Sequence, residues 1–219
     1  MFKAIRSIAS ATFVSRILGL IRDQVSLLFL GSGAWHDAWL VAFRIPNFMR
    51  ALFVEGAFSQ AFIPILVHTE EAKQAGVVAR VSGTLSLLVL LFCLPFYVAG
   101  AQCVLFFVPG YADDPEQLTK VVQMLHWTMP YLWFITMTGL LTAWLNGRKY
   151  FKWAARLPLM LNVCLILGCL AMGYLQWDPV VIAKSVFVAG LLQCLAAWSL
   201  VVRYLGVYLV PMLDWQDGT

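Results

Sequence analysis

Charge is what this sequence has least of. Only 12% of its 219 residues are Asp, Glu, Lys or Arg, about half the share carried by an ordinary soluble domain. Four stretches, 82–108, 121–145, 157–177 and 185–202, contain none. A water-soluble fold of this length has too little interior to hide that much apolar side chain, and the mean hydropathy of +0.82 agrees. Each stretch is near or above the roughly 18 residues that make a crossing helix. Apolar and polar residues do not alternate along them, which excludes the strands of a membrane barrel. Lipid then leaves helices, which satisfy their own backbone groups.

Metal ligands and nucleophile clusters are lacking as well. The five cysteines (Cys93, Cys103, Cys164, Cys169, Cys194) lie inside or at the ends of apolar runs, are odd in number and form no C-x-x-C. They read as small buried hydrophobes rather than as disulfide or metal cysteines. His36, His68 and His126 are scattered without a second ligand at metal spacing, so neither metal nor other cofactor is expected. An intramembrane enzyme acting on a lipid phosphate would need a general base, a nucleophile or a metal cluster. The lone His36–Asp37 pair is too little for one, and no enzyme is expected. No cleavable leader is expected either. Lys3 and Arg6 precede Ala9-Ser10-Ala11 with no apolar core between them, so the N-terminus reads as the start of a retained helix.

The expected architecture is an all-α integral membrane lobe of about six transmembrane helices over residues 1–208. The approximate spans are 8–30, 36–67, 82–108, 121–145, 157–177 and 185–202. The second is too long for one straight crossing: it would reach roughly 48 Å against a hydrocarbon core of about 30 Å. Pro46 and Pro64 are the expected bends. The loops alternate in basic content. Lys3 and Arg6, then Lys73 and Arg80 of the 68–81 loop, then Arg148, Lys149, Lys152 and Arg156, then Arg203 mark one side. The other side holds Asp37, Asp113, Asp114, Glu116 and Asp178 with a single Lys120. Counting Lys and Arg alone, both termini are expected in the cytoplasm. The net charge of +4 therefore expresses topology, and no nucleic-acid partner is expected.

What charge there is inside the apolar runs is concentrated in the first two spans: Arg16, Arg22, Asp23, Arg44, Arg50 and Glu55, with Asp37 at the edge. Facing lipid, the six would cost on the order of 15–20 kcal/mol. Snorkelling rescues those near the ends, and the others are expected to face a wet cavity or one another. At 100° per residue, Thr12, Ser15, Arg16, Arg22 and Asp23 lie within about 60° of the direction of Gly19. Ser7, Ala11, Ser15 and Gly19 form a small-residue ridge on the same helix, which is a packing surface in its own right. On the second span the spacings Asp37–Arg44 and Arg44–Glu55 return to one face of an unbroken helix, a register that Pro46 interrupts. Two readings follow. The acids neutralise the arginines within a packed bundle, or the surplus guanidinium binds an anion. Arg suits phosphate and carboxylate through paired hydrogen bonds and does not deprotonate.

SRILGLIRD (15–23), GSG (31–33) and DAWLVAFRIPNFMRALFVEGAFSQAFIPIL (37–66) resemble the signature region of the MurJ (MviN) lipid II flippase family. Weaker resemblance continues through VPGYAD (108–113), MPY (129–131), LLTAWLNGRKYF (140–151), LPLMLNV (157–163) and LVPMLDWQDG (209–218). The resemblance implies a multi-pass bacterial inner-membrane protein of the multidrug/oligosaccharidyl-lipid/polysaccharide (MOP, MATE-like) exporter type. Its substrate would be the undecaprenyl-diphosphate-linked peptidoglycan precursor, moved from the cytoplasmic to the periplasmic face. It implies that Arg16, Arg22 and Arg50 hold the diphosphate. Asp23, Asp37, Arg44 and Glu55 would set charge balance or gating, and Pro46 and Gly56 are candidate hinges. Family members are about twice as long, in two pseudo-symmetric lobes related as alternating access requires. The chain resembles the first lobe, with 209–219 as the start of the inter-lobe linker. It is thus expected to be a piece of a longer protein, a split protein working with a second lobe, or a dimeric or degenerate relative. The competing function is a membrane module that binds lipid or a cell-wall assembly partner without transport.

Overall fold

The computed structural model describes residues 2–50, 57–151 and 156–213. They form helices: α1 (Phe2–Leu30), α2 (Ala34–Arg50), α3 (Ala57–His68), α4 (Glu71–Val98), α5 (Gly100–Phe107), α6 (Pro115–Gly147), α7 (Leu157–Leu175) and α8 (Val181–Leu205). A single 3-10 turn, Pro109–Tyr111, joins α5 to α6. No strand occurs among the described residues. Helices α4, α7 and α8 are long and apolar enough to cross a membrane. Exposed large side chains such as Leu88, Leu90, Leu91 and Leu94 on α4 or Leu192 and Leu195 on α8 cover a surface that suits hydrocarbon, not water.

The bundle is built around α6, which packs against α8, α2, α4, α3 and α5. Two apolar centres lie along it. One gathers Trp39, Ala42, Met124, Leu125, Met129 and Leu132; the other gathers Phe62, Val78, Leu141, Trp144, Leu145 and Val201. The start of α6 is tied to the start of α2 by Gln117, whose Nε2 donates to the Ala34 carbonyl (2.7 Å). Helix α7 sits on α8 and carries α1 on its other side. Small residues allow both approaches. A Cβ on Gly168 would lie 2.1 Å from Ser185 Oγ on α8, and one on Gly173 would lie 2.1 Å from the Phe29 ring on α1.

Two proline positions explain how long helices survive here. Proline removes the hydrogen bond to the carbonyl four residues back and crowds it. Pro46 lies inside α2, and the freed carbonyl is that of Ala42. Thr128 on α6, fully buried, donates its hydroxyl to that oxygen at 2.8 Å. Pro130 lies inside α6 and frees the His126 carbonyl, to which the Tyr97 hydroxyl of α4 donates at 2.8 Å. Each break in one helix is thus filled by a hydroxyl from another.

Of the stretch 36–67, α2 and α3 are described, with Pro46 and Pro64 each inside a helix. The helices differ from the expected spans at two places, both within 68–108. The expected 68–81 loop is helical from Glu71, because EAKQAGVVAR is made mostly of good helix formers. Helix α4 then ends at Val98, one turn after Pro95. Ala99 leaves the helical region with φ −134° and ψ 45°, so the charge-free run 82–108 is shared between α4 and α5.

Candidate functional site

Helices α1 and α2 are joined only by residues 31–33. Gly31 takes φ +67° there, the left-handed closing position of a helix that glycine fills without strain. From this turn the two helices diverge: α1 leans on α7, and α2 leans on α6. The gap between them holds a cavity of about 210 Å³ lined by Arg22, Asp23, Trp39, Leu40, Phe43, Arg44 and Asn47.

Arg22 is the best-anchored group in it. Its Nε and Nη2 donate to Asp23 Oδ1 at 2.9 and 2.8 Å, and its Nη1 donates to Asn162 Oδ1 at 3.0 Å. Asn162 is buried on α7, and its Nδ2 donates in turn to the Ser15 carbonyl of α1 at 3.1 Å. The guanidinium carbon stands 5.8 Å from the Phe43 ring centre, within reach of a cation–π contact. Phe43 is itself stacked on Trp39 at 4.8 Å. Three of the five guanidinium N–H groups are used, which leaves one on each terminal nitrogen for a ligand. Asp23 is the exposed member of its pair, with 62% of its side chain accessible.

From α2, Arg44 is exposed at the cavity wall. Arg50 is half-buried one turn beyond Asn47, and its Nε donates to Asn47 Oδ1 at 3.2 Å. Asn47 therefore joins Arg50 to the cavity that Arg22 and Arg44 line. Pro46 is buried beside it. Two of the expected residues lie away from the cavity. Arg16 is exposed on α1, about 9 Å along the axis from Arg22. Asp37 is exposed in the first turn of α2, about 10 Å along the axis from Arg44. Glu55 and Gly56 lie outside the described residues. The position of Gly19, on the small-residue ridge of α1, faces open space with nothing within 4 Å. Its smallness is not required by packing within the described lobe. Asn47 and Asn162 were missed by a reading that counted charge. The available signal was an amide inside the charge-free run 157–177, since a polar side chain at membrane depth needs a partner.

A family model described as lipid II flippase MurJ matches residues 28–218. The chain belongs to the lipid II flippase MurJ family. A probable lipid II flippase MurJ of Vibrio cholerae serotype O1 is 36% identical over 222 residues, covering 96% of this chain and 42% of that protein. One from Haemophilus influenzae is 34% identical, covering 94% and 42%. The lipid II flippase MurJ of Burkholderia cenocepacia is 34% identical, covering 89% and 39%. A solved lipid II flippase MurJ in an inward closed conformation superposes with a TM-score of 0.79 at 25% identity, over 94% of this chain and 43% of that one. The chain thus spans about two fifths of the length of its MurJ relatives. Its helices take the fold of the matching part of that solved MurJ, and the likeness to MurJ first visible in α1 and α2 extends over nearly the whole sequence.

Proposed function

We propose that this chain is the N-terminal lobe of a lipid II flippase, carrying the undecaprenyl-diphosphate-linked peptidoglycan precursor from the cytoplasmic to the periplasmic face by alternating access. The observation that carries the reading is the α1–α2 cavity, which Arg22 and Arg44 line with Asp23 as the one acid among its described lining residues, and to which Asn47 links Arg50. A diphosphate is the ligand that such surplus guanidinium serves best. It offers several oxygens to paired N–H donors, and arginine keeps its charge when water is stripped away. Arg16, Arg22 and Arg50 bind the diphosphate, Arg16 from an exposed position midway along α1. Asp23, Asp37, Arg44 and Glu55 balance charge as the cavity fills and empties. Pro46 and Gly56 are the hinges. The protein resides in the bacterial inner membrane with both termini in the cytoplasm, as its Lys and Arg distribution supports.

The test is lipid II exposure at the outer face of cells depleted of their own flippase, with the chain expressed beside a second lobe. Arg22→Ala or Arg50→Ala should abolish exposure at unchanged membrane levels. Each charge-assisted contact to phosphate is worth about 1.5–3 kcal/mol, or roughly 10–100-fold in affinity. Arg22→Lys, which keeps the charge and loses the fork, should retain part of it. Normal exposure with Arg16→Ala, Arg22→Ala and Arg50→Ala tested singly overturns the diphosphate assignment.

A further inference from the structure

At the far end of α6 from the α1–α2 turn lies a second, larger cleft of about 670 Å³, well within the size range of ligand sites. It opens between the end of α6, the first turns of α4 and the end of α8, and its apolar wall is Ala72, Ala75, Leu205 and Val207. Its polar wall comes from Glu71 on α4 and from Arg148, Lys149 and Tyr150, part of the basic segment that the transport reading leaves unused.

This wall is built with care. Gln74 is buried and acts as a four-way tie. Its Nε2 donates to the Leu66 and Thr69 carbonyls at the end of α3, at 2.8 and 3.1 Å. Its Oε1 accepts from Trp144 Nε1 at 3.2 Å and from Arg148 Nε at 3.0 Å. Arg148 also pairs through Nη1 with Glu71, so the guanidinium is fixed while its remaining N–H groups stay available to the cleft. Tyr150 stacks on Tyr204 at 4.7 Å, and the Arg203 guanidinium lies 6.0 Å from the Tyr204 ring centre.

Lys149 is the residue that needs explaining. Helix α6 closes with Lys149 N–H on the Asn146 carbonyl and Tyr150 N–H on the Leu145 carbonyl, both at 2.9 Å. That pattern places Lys149 at the left-handed position that glycine usually takes, and its φ is +68°. Gly147 stands two residues too early to fill it. A lysine here is a strained choice. Lys149 lines the cleft with no acidic partner among the described residues, whereas Arg148 has Glu71.

We propose that this cleft binds the phosphate of an anionic phospholipid headgroup, with Lys149 and Arg148 as donors and the Tyr150–Tyr204 stack as its wall. The shared chemistry is a phosphate oxygen on paired cations. A lipid is the fitting source because the cleft sits where three helices end, on the proposed cytoplasmic face, with an apolar wall beside the charged one. Basic pockets between transmembrane helices on that side are where anionic headgroups dock. The site is separate from the arginine cavity, so it stands or falls without the diphosphate reading.

The experiment is native mass spectrometry of the purified chain in detergent, titrated with phosphatidylglycerol or with phosphatidylcholine, beside thermal unfolding of each variant. The expected result is one phosphatidylglycerol retained in preference to phosphatidylcholine. Lys149→Gly should weaken it roughly fivefold while raising the unfolding midpoint, because glycine relieves the positive φ. Lys149→Asn, a second residue that tolerates this conformation, should bind as weakly, and Lys149→Arg should bind like the parent. Lys73→Ala, which removes a cation outside the cleft, should change nothing. Equal retention of the two lipids, or undiminished binding by Lys149→Gly and Lys149→Asn, overturns the proposal. Displacement of phosphatidylglycerol by millimolar glycerol phosphate overturns the lipid source and assigns the cations to a soluble phosphate.

Discussion

Asn162 shows how much of the candidate site rests on one neutral side chain. It sits in an apolar helix, faces a cation with its oxygen and a backbone carbonyl with its nitrogen, and so can adopt only one amide orientation. It fixes Arg22 in direction and fastens α1 to α7 at the same time. Asn162→Leu keeps the volume and removes both bonds. It should lower the unfolding midpoint by an amount equivalent to about 1–3 kcal/mol, the cost of stranding partly buried partners, and should weaken binding of undecaprenyl diphosphate with Arg22 intact. Asn162→Asp should keep the Arg22 contact, place a carboxylate against the Ser15 carbonyl, and reduce diphosphate binding by neutralising the cavity. An Asn162→Leu variant with parental stability and binding would sink this role. Arg22, Asp23, Arg44 and Arg50 were legible from sequence because charge inside an apolar run is costly wherever it points. The two asparagines were not, since an amide barely moves a hydropathy sum. The helical wheel also grouped Arg16 with Arg22, although they flank Gly19 on opposite sides. The structure turns Arg22 toward α2 and α7 and leaves Arg16 exposed.

Among the elements, α2 depends on a group that it does not contain. With Pro46 in place the Ala42 carbonyl has no intrahelical donor, and Thr128 supplies one from a fully buried position. Thr128→Val, nearly isosteric, should cost about 1–3 kcal/mol, and Thr128→Ser should restore most of it. Tyr97→Phe removes the equivalent bond beside Pro130 and should cost less, because Tyr97 is 46% exposed and water can replace its hydroxyl. The decisive measurement is the double mutant. Pro46→Ala returns a backbone N–H to the Ala42 carbonyl, so in that background Thr128→Val should cost little in thermal unfolding. An equal cost in both backgrounds would mean that Thr128 acts by packing alone. Such hydroxyl–carbonyl pairs are invisible in sequence, because they join positions 86 and 29 residues apart. Helices α7 and α8 were readable from their charge-free runs. The start of α4 was hidden by charge, since Glu71, Lys73 and Arg80 look like a loop to a hydropathy sum while favouring helix as individual residues. The break between α4 and α5 was hidden by the opposite cause, an apolar run that continues unchanged across a backbone turn at Ala99.

For the whole molecule, the lobe has a firm side and a loose one. Helix α6 ties α2, α3, α4, α5 and α8 together, while α1 is carried mainly by α7 and stands apart from α2 across the arginine cavity. That cavity is bounded by only two helices and by nothing on its open side among the described residues. Alternating access needs a second body to close such a face and to rock against it, and the chain spans about two fifths of relatives that are long enough to contain one. The expected outcome is therefore asymmetric. In cells depleted of their own flippase, this chain expressed alone should insert and leave lipid II unexposed at the outer face. Co-expression with a separately encoded second lobe should restore exposure, and restoration should disappear with Arg22→Ala. Restoration by the chain alone, accompanied by cross-linking of α1 between two copies, would instead make a homodimer the working unit, with the open face of one copy closing the other. Failure in both arms, with the chain correctly inserted, would leave the arginine cavity as a binding site in a module that does not transport.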